Sequence, residues 1–251
     1  MSDSPQGESA GENFLPTVSV VIPTYRRTEQ LRRALASVEN QTYEGEIEAI
    51  VVDNNEKPIA RAVAEPFTVA RYHHMLEYFP RDEDTSLTVA MARDVGVSNA
   101  RGKYVQFLDD DDELASVAIS RKIEVLEAAP TAGGVYNAIE LTNGEVLRNE
   151  PIISGNELAY ILQTLQSPAP PSTLLVARSS LLACGPQRLQ THNDFGTLVE
   201  ILLRTRLVYV DEPLTIRDHS DGMRSSPYSE RRRLATGRRY AGLRRELLME
   251  E

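Results

Sequence analysis

Asp109-Asp110-Asp111-Asp112 sets four carboxylates side by side, and charges this close repel unless water or a cation relieves them. Hard divalent cations such as Mg²⁺ take oxygen ligands, commonly one or two carboxylates together with substrate phosphates. The apolar stretch Lys103-Tyr104-Val105-Gln106-Phe107-Leu108 runs straight into the tetrad and reads as a strand. Alternate residues of a strand share a side, which would turn Asp109 and Asp111 toward one ligand. A solvated acidic turn in front of a helix is the other reading of the same residues, since charge runs are usually surface features.

The elements around the tetrad repeat one pattern. Val18 to Ile22 is a β-branched strand stopped by Pro23, and Thr28 to Val38 sets Leu31, Ala34, Leu35 and Val38 at helical spacing. Ile47 to Val52 is a second strand ending at Asp53-Asn54-Asn55. Pro58 suits the first turn of a short helix within residues 57–65, and Thr68 to His73 is a third strand. Ser86 to Ala100 reads as a helix with Gly102 at its C-cap, and Leu114 to Ala129 as another that stops before Pro130. Strands and helices in series imply a parallel sheet with right-handed crossovers, whose ligands bind beyond the carboxyl ends of the strands. Residues 23–27, 53–55 and 109–113 are therefore the places to look.

The second half is less regular. Val135 to Leu147, with Asn143-Gly144 between its arms, predicts a hairpin on a type I′ turn. Ser154 to Glu157 fits a capping box opening a helix through Leu165. A strand over Thr173 to Ala177, a helix over Gly196 to Arg206 and a short strand over Leu207 to Val210 follow. We expect a disordered acidic tail over 1–15, one α/β domain over 16–225, and a basic helical segment over 226–251.

Composition narrows the class. In 251 residues, 41% are hydrophobic and 25% charged, which suits a soluble globular chain. No run approaches the roughly 20 apolar residues of a membrane span, and the start lacks a secretory signal. A single cysteine, Cys184, excludes an internal disulfide and suits the cytoplasm; its apolar neighbours favour packing over nucleophilic chemistry. The net charge of −10 argues against nucleic-acid partners. Seven arginines and no acid lie between Arg231 and Arg245, which leaves −17 on the rest of the chain. That segment, with Leu234, Leu243, Leu247 and Leu248 along residues 231–248, suits either an anionic membrane surface or the chain's own acidic body. Gly237 and Gly242 weaken an independent helix and favour the second.

The stretch from Ala92-Arg93-Asp94-Val95-Gly96 through Ala100-Arg101-Gly102 to Phe107-Leu108-Asp109-Asp110-Asp111-Asp112 resembles the central motif of family 2 glycosyltransferases. Val18 to Arg26, with Val-Val-Ile-Pro-Thr-Tyr, resembles the family's first strand and nucleotide loop, and Ile50 to Asn55 its second strand. Arg178 to Pro186 followed by His192-Asn193-Asp194-Phe195 is similar to its acceptor-side segment. The resemblance spans roughly residues 16 to 220 and implies a GT-A fold, α/β and Rossmann-like, with a mostly parallel central sheet flanked by helices. Residues 16–130 would bind the nucleotide sugar and 131–225 the acceptor.

The same resemblance implies roles. Asp111 would be the principal ligand of Mg²⁺ or Mn²⁺, with Asp112 in support and His219 near the metal or diphosphate. Asp109 and Asp110 would hold the ribose or nucleoside. Pro23, Thr24, Tyr25, Arg26 and Asp53 would line the nucleoside pocket, and Arg93 would lie near the diphosphate or ribose. Asp194 would be the base for an inverting transfer. The donor would be a UDP-, GDP- or dTDP-sugar, and the acceptor a saccharide, a lipid-linked saccharide or a polyprenyl phosphate. The setting would be cytoplasmic, at the inner face of the membrane if residues 231–248 touch lipid.

Three positions depart from the pattern. Asp94 stands where the family has asparagine, Asn193 where it commonly has glutamate, and Asn54-Asn55 where Asp-Gly is frequent. Three other classes compete. A nucleotidyltransferase would carry a glycine-rich, basic loop after the first strand, but Pro23-Thr24-Tyr25-Arg26-Arg27 has no glycine. A non-catalytic sugar- or cation-binding module would tolerate loss of Asp111 or Asp194, yet both are present. An aspartyl-nucleophile hydrolase would need an early strand-end aspartate with a supporting lysine, and that pattern is missing.

Overall fold

β-Branched residues dominate Val18–Thr24 (β1) and Ile47–Asp53 (β2), and both strands are buried almost end to end, as strands covered on two faces must be. The computed structural model describes residues 17–79, 88–148, 157–164, 167–186, 193–219 and 240–242. With β3 (Ala70–His74) and β4 (Tyr104–Phe107), these strands form a parallel group in the order β3-β2-β1-β4. The crossovers hold α1 (Thr28–Glu39), α2 (Arg61–Ala64) and α3 (Val89–Asn99).

Strand alternation divides the core between two faces. Val18, Val20 and Ile22 pack with Leu31, Ala34, Leu35 and Val38 of α1 and with α4 (Ala118–Ala128). Val21 faces the other way, onto Ala92 and Val95 of α3. Beyond β4 the sheet turns mixed, through β8 (Leu175–Ala177), β6 (Ala132–Leu141) and β9 (Arg206–Arg217) to β5 (Asp112–Leu114), with β7 (Val146–Leu147) off β6. Helices α5 (Glu157–Thr164), α6 (Arg178–Cys184) and α7 (Asn193–Leu202) cover the α3 face. Cys184 is buried there in the packing role expected of it.

Several local expectations are corrected. The tetrad does not run directly into a helix, because β5 intervenes and pairs antiparallel with β9, Asp112 opposite Arg217. The last strand is twelve residues rather than four, and Pro213 is accommodated at a break in the β6–β9 register. The hairpin turn is not type I′, since among described non-glycine residues only Arg26 has positive φ. Gly144 alone, at φ 86°, is left-handed, and its N–H bonds Leu141 O at 2.8 Å. That is a three-residue loop closed by a glycine bulge. Gly102 is not a left-handed cap either. A Cβ there would lie 2.7 Å from Ser19 N and 2.8 Å from Thr17 O, so glycine is needed for close approach to β1. The helix expected from Gly196 begins at Asn193. The 1–15 tail, the Ser154–Asn156 part of the capping box and most of 226–251 lie outside the described residues.

A lysine sits wholly inside this core. Lys122 of α4 is 0% exposed, and its Nζ donates to Gln106 Oε1 at 2.7 Å. Gln106 Nε2 donates to Ser172 O at 2.8 Å, and Ser172 Oγ accepts the Asp109 N–H at 3.0 Å. The chain of bonds therefore ends on the first residue of the tetrad. Burial pushes the Lys122 ammonium down to about 7. An unfolded lysine titrates near 10.4, so between about pH 7 and 10.4 the unfolded state binds more protons and stability rises with pH. Lys122→Met is expected to lack that rise: its stability relative to wild type, measured by urea unfolding, should fall steadily from pH 7 to pH 10. An unchanged slope in the variant would assign the effect to another group.

Candidate functional site

The strand ends of β1, β2 and β4 open onto a cavity of about 360 Å³. Small-molecule sites commonly run about 300–1,000 Å³, so the space suits such a ligand. Pro23, Thr24, Tyr25, Arg27 and Asn54 line one side. Val89, Ala92 and Arg93 come from α3, Asp109 to Asp111 from the end of β4, and Asp194 from the first turn of α7.

Each member of the tetrad has a different environment. Asp112 is 2% exposed, and Arg217 grips it twice, Nε to Oδ1 at 2.9 Å and Nη2 to Oδ2 at 2.7 Å. Asp110 is also buried, accepting from Thr24 Oγ1 at 2.8 Å, Tyr25 N at 3.3 Å and Arg27 Nη1 at 3.1 Å. It ties down the loop after β1, and burial pushes its carboxyl up to about 6 against the pull of Thr24 and Arg27. Asp109 and Asp111 stay partly open. Arg93 Nη2 bonds Asp109 Oδ1 at 2.6 Å, and Arg27 Nη1 bonds Asp111 Oδ2. Burial and then the Asp109 charge raise the Asp111 carboxyl above its ordinary value.

The base-side residues are placed unequally. Asp53 is fully buried and does not line the cavity. Its Oδ1 accepts from Asn55 N at 2.9 Å and Asn55 Nδ2 at 2.6 Å; its Oδ2 accepts from Ala60 N and Tyr72 Oη, both at 2.9 Å. Four donors occupy the carboxylate, whereas its neighbour Asn54 faces the cavity. Tyr25 is 45% exposed, with the Arg26 guanidinium 4.8 Å above its ring. Arg26 has φ 60°, which turns it outward and leaves Arg27 to point in.

Across the cavity, Arg93 Nη1 bonds Asp194 Oδ1. Burial alone would lower the Arg93 guanidinium, but Asp194 and Asp109 outweigh it and hold it above its usual range. His219 lies elsewhere: it is exposed, with Nδ1 2.9 Å from Thr142 Oγ1 and 3.7 Å from Asp218 Oδ1. His73 and His74 face different partners, Tyr78 Oη at 2.7 Å and Asn55 O at 2.9 Å, so they share no site.

A hard divalent cation fits part of this arrangement. Ligand atoms of Asp109, Asp111 and Asp112 lie within 4.8 Å of one another. Asp109 and Asp111 supply oxygen donors at the cavity, where crowded negative charge favours a cation. Asp112 does not share their position, because both its oxygens are held by Arg217. His219 is not part of the converging group. Arg27 and Asn54 lie in the strand-end stretches marked from the sequence but are given no role there, and Arg217 is not marked at all. A basic residue beside the strand-end loop marks Arg27, but nothing local marks Arg217, which the β5–β9 pairing delivers.

The sequence model of the family described as Glycosyl transferase family 2 matches residues 19–181. A GalNAc(5)-diNAcBac-PP-undecaprenol beta-1,3-glucosyltransferase of Campylobacter jejuni is 32% identical over 106 residues, 42% of this chain and 33% of that protein. The chain spans about a third of the length of the first curated relatives it matches. Staphylococcus aureus TarS 1-349 in complex with UDP-GlcNAc superposes with a TM-score of 0.63 at 20% identity, over 85% of this chain and 60% of that one. The mannosyltransferase PcManGT of Pyrobaculum calidifontis, in complex with GDP-Man and Mn²⁺, gives 0.62 at 18% identity, over 88% and 61%. These likenesses bear out the GT-A fold: parallel at the β3-β2-β1-β4 end and less regular beyond it.

The Asp112–Arg217 pair generates a stability test. Removing one partner of a buried ion pair leaves the other charge uncompensated, at a cost of about 3–5 kcal/mol. Arg217→Met is expected to destabilise by that order in chemical unfolding, and the double variant Asp112→Asn with Arg217→Met to recover part of the loss. A surface-like loss well under 1 kcal/mol would mean that Asp112 is paired by something else.

Proposed function

Because the chain belongs to glycosyl transferase family 2, we propose that it moves a sugar from a nucleoside-diphosphate-sugar donor onto an acceptor hydroxyl, with inversion at the anomeric carbon. The observation that carries this reading is one cavity bordered by Asp109, Asp111 and Asp194 together. Pro23, Thr24, Tyr25 and Asn54 form the wall that would take the nucleoside, with the exposed Tyr25 ring offering a stacking face. Asp109 and Asp111 would hold Mg²⁺ or Mn²⁺, which supplies Lewis-acid stabilisation of the diphosphate leaving group. Asp194 would accept the proton of the acceptor hydroxyl as its oxygen attacks the anomeric carbon, an effect worth roughly 10²–10⁴ in rate. Attack opposite the leaving diphosphate gives inversion.

The ligands named for the structural neighbours, UDP-GlcNAc and GDP-Man with Mn²⁺, support a nucleotide sugar and a divalent cation as the class of partner. The name of the Campylobacter relative supports a lipid-linked acceptor. No helix among the described residues is long and apolar enough to cross a membrane, and a cytoplasmic setting suits the reading. Within the basic C-terminal segment, docking on the chain's own body is supported at Tyr240. Tyr240 is 9% exposed in the core cluster beneath α7, and its Oη donates to Glu200 Oε1 at 2.5 Å.

Thermal unfolding with UDP, GDP or dTDP, each with and without Mn²⁺ or Mg²⁺, tests the donor site. One nucleotide class is expected to stabilise the protein in a metal-dependent way, since a ligand at 100 times its Kd adds about 2.7 kcal/mol. Asp111→Asn should abolish that shift. Asp194→Asn should keep it and slow nucleotide release from the matching sugar donor by about 10²-fold or more. No stabilisation by any of the three, or equal loss of binding in both variants, counts against the reading.

A further inference from the structure

The resemblance assigns Arg93 to the donor's diphosphate or ribose, but its geometry points to the opposite side of the reaction. Arg93 rises from α3, and its side chain is only 3% exposed, against 31% for Asp109 and 42% for Asp194. It borders the cavity too, but as the most buried of the three. Nη2 donates to Asp109 at 2.6 Å and Nη1 to Asp194 Oδ1, so one planar fork joins the end of β4 to the first turn of α7. Nε is buried with no hydrogen-bond partner among the described residues, which leaves the bonding there to those two nitrogens. Phe107, Leu174 and Leu198 border a void of about 20 Å³ beside the Arg93–Asp194 pair. Ala169 and Pro171 add to this mostly apolar lining, in which Thr197 is the one further polar side chain, and such surroundings strengthen the pair.

We infer that Arg93 is a positioning residue for Asp194, holding the carboxylate across the cavity at a fixed distance from the donor side. With Oδ1 held, Oδ2 is the oxygen left to receive the acceptor's proton. A lysine cannot reproduce this, because one ammonium lacks the rigid fork that reaches two carboxylates in fixed directions. The inference rests on the transferase reading above but assigns Arg93 to the base rather than to the nucleotide.

The test uses full-length protein with Arg93→Lys, Arg93→Met, Asp194→Asn and the double variant Arg93→Met with Asp194→Asn. Affinity is measured for UDP, GDP and dTDP with Mn²⁺, and turnover as nucleotide release from UDP-, GDP- and dTDP-sugars at saturation. Arg93→Lys keeps a buried positive charge and so guards against a variant that fails to fold. Both Arg93 variants are expected to lose less than about 10-fold in affinity for the matching nucleotide, a loss that passes through Asp109 and is well below the loss in turnover. Their turnover should fall about 10²-fold, the loss that a misplacement near 1 Å produces. If Arg93 acts through Asp194, the double variant should turn over within about 3-fold of Asp194→Asn alone, because the two effects are not independent. A 10-fold or larger loss of nucleotide affinity with saturated turnover intact would make Arg93 a donor ligand and overturn the inference. Multiplicative losses in the double variant would overturn it as well. A wild-type protein that neither binds nor releases any of the nucleotides would overturn the transferase reading itself, which is a separate result.

Discussion

Four consecutive carboxylates can occupy one strand end only if positive charge is brought to them, and the chain draws it from three separate elements. Arg27 comes from the loop after β1, Arg93 from α3 and Arg217 from the far end of β9. At effective dielectric values near 20, two unit charges about 4 Å apart attract by roughly 4 kcal/mol, and desolvation offsets much of this. The net gain from each pair is therefore modest, but the loss on breaking one is large. This asymmetry ties β1, α3 and β9 to the end of β4. The cavity inherits its shape from those ties.

The turn between β4 and β5, closed by the Asp112 N–H on Asp109 O at 3.1 Å, then sorts the tetrad. Asp110 and Asp112 turn into the protein, the first to fasten the Pro23–Arg27 loop and the second to fasten β9. Asp109 and Asp111 stay the more open at the cavity, which Asp110 also borders. Two carboxylates of the run serve the fold so that the other two can face a ligand. Asp53 is a parallel case on β2. Its oxygens are filled by Asn55, Ala60 and Tyr72, so it shapes the loop that presents Asn54 instead of meeting a ligand itself.

What was legible in the sequence was local. β1, β2 and β4 announce themselves by apolar runs ending in Pro23, Asp53 and the tetrad, and the helical spacing of Leu31, Ala34, Leu35 and Val38 gave the buried face of α1. Strand order follows from the βα series, so the convergence of residues 23–27, 54 and 109–111 was readable too. The missed features depend on distant partners. Asp112-Glu113-Leu114 has no strand signature, and it is a strand because Arg217, Ile216 and Thr215 lie opposite it. Pro213 made residues 211–213 look like an end, whereas an irregular register on β6 absorbs it. The exchange of Arg26 for Arg27 as the inward residue turns on a single left-handed φ, which no spacing rule shows.

These pairings also set the terms on which any ligand can enter. A cation approaching Asp111 meets a carboxylate already bonded to Arg27, and a phosphate approaching the same place meets a guanidinium already bonded to Asp110 and Asp111. Either one arriving alone would strip a partly buried charge of its partner, which is expensive. Arriving together they avoid that cost, because the cation can take the carboxylate while the phosphate takes the arginine, and every charge keeps a partner. A site balanced internally by ion pairs thus discriminates against lone anions and lone cations. On the proposed transferase reading, it would favour a ligand that carries negative phosphate and bound metal as one unit.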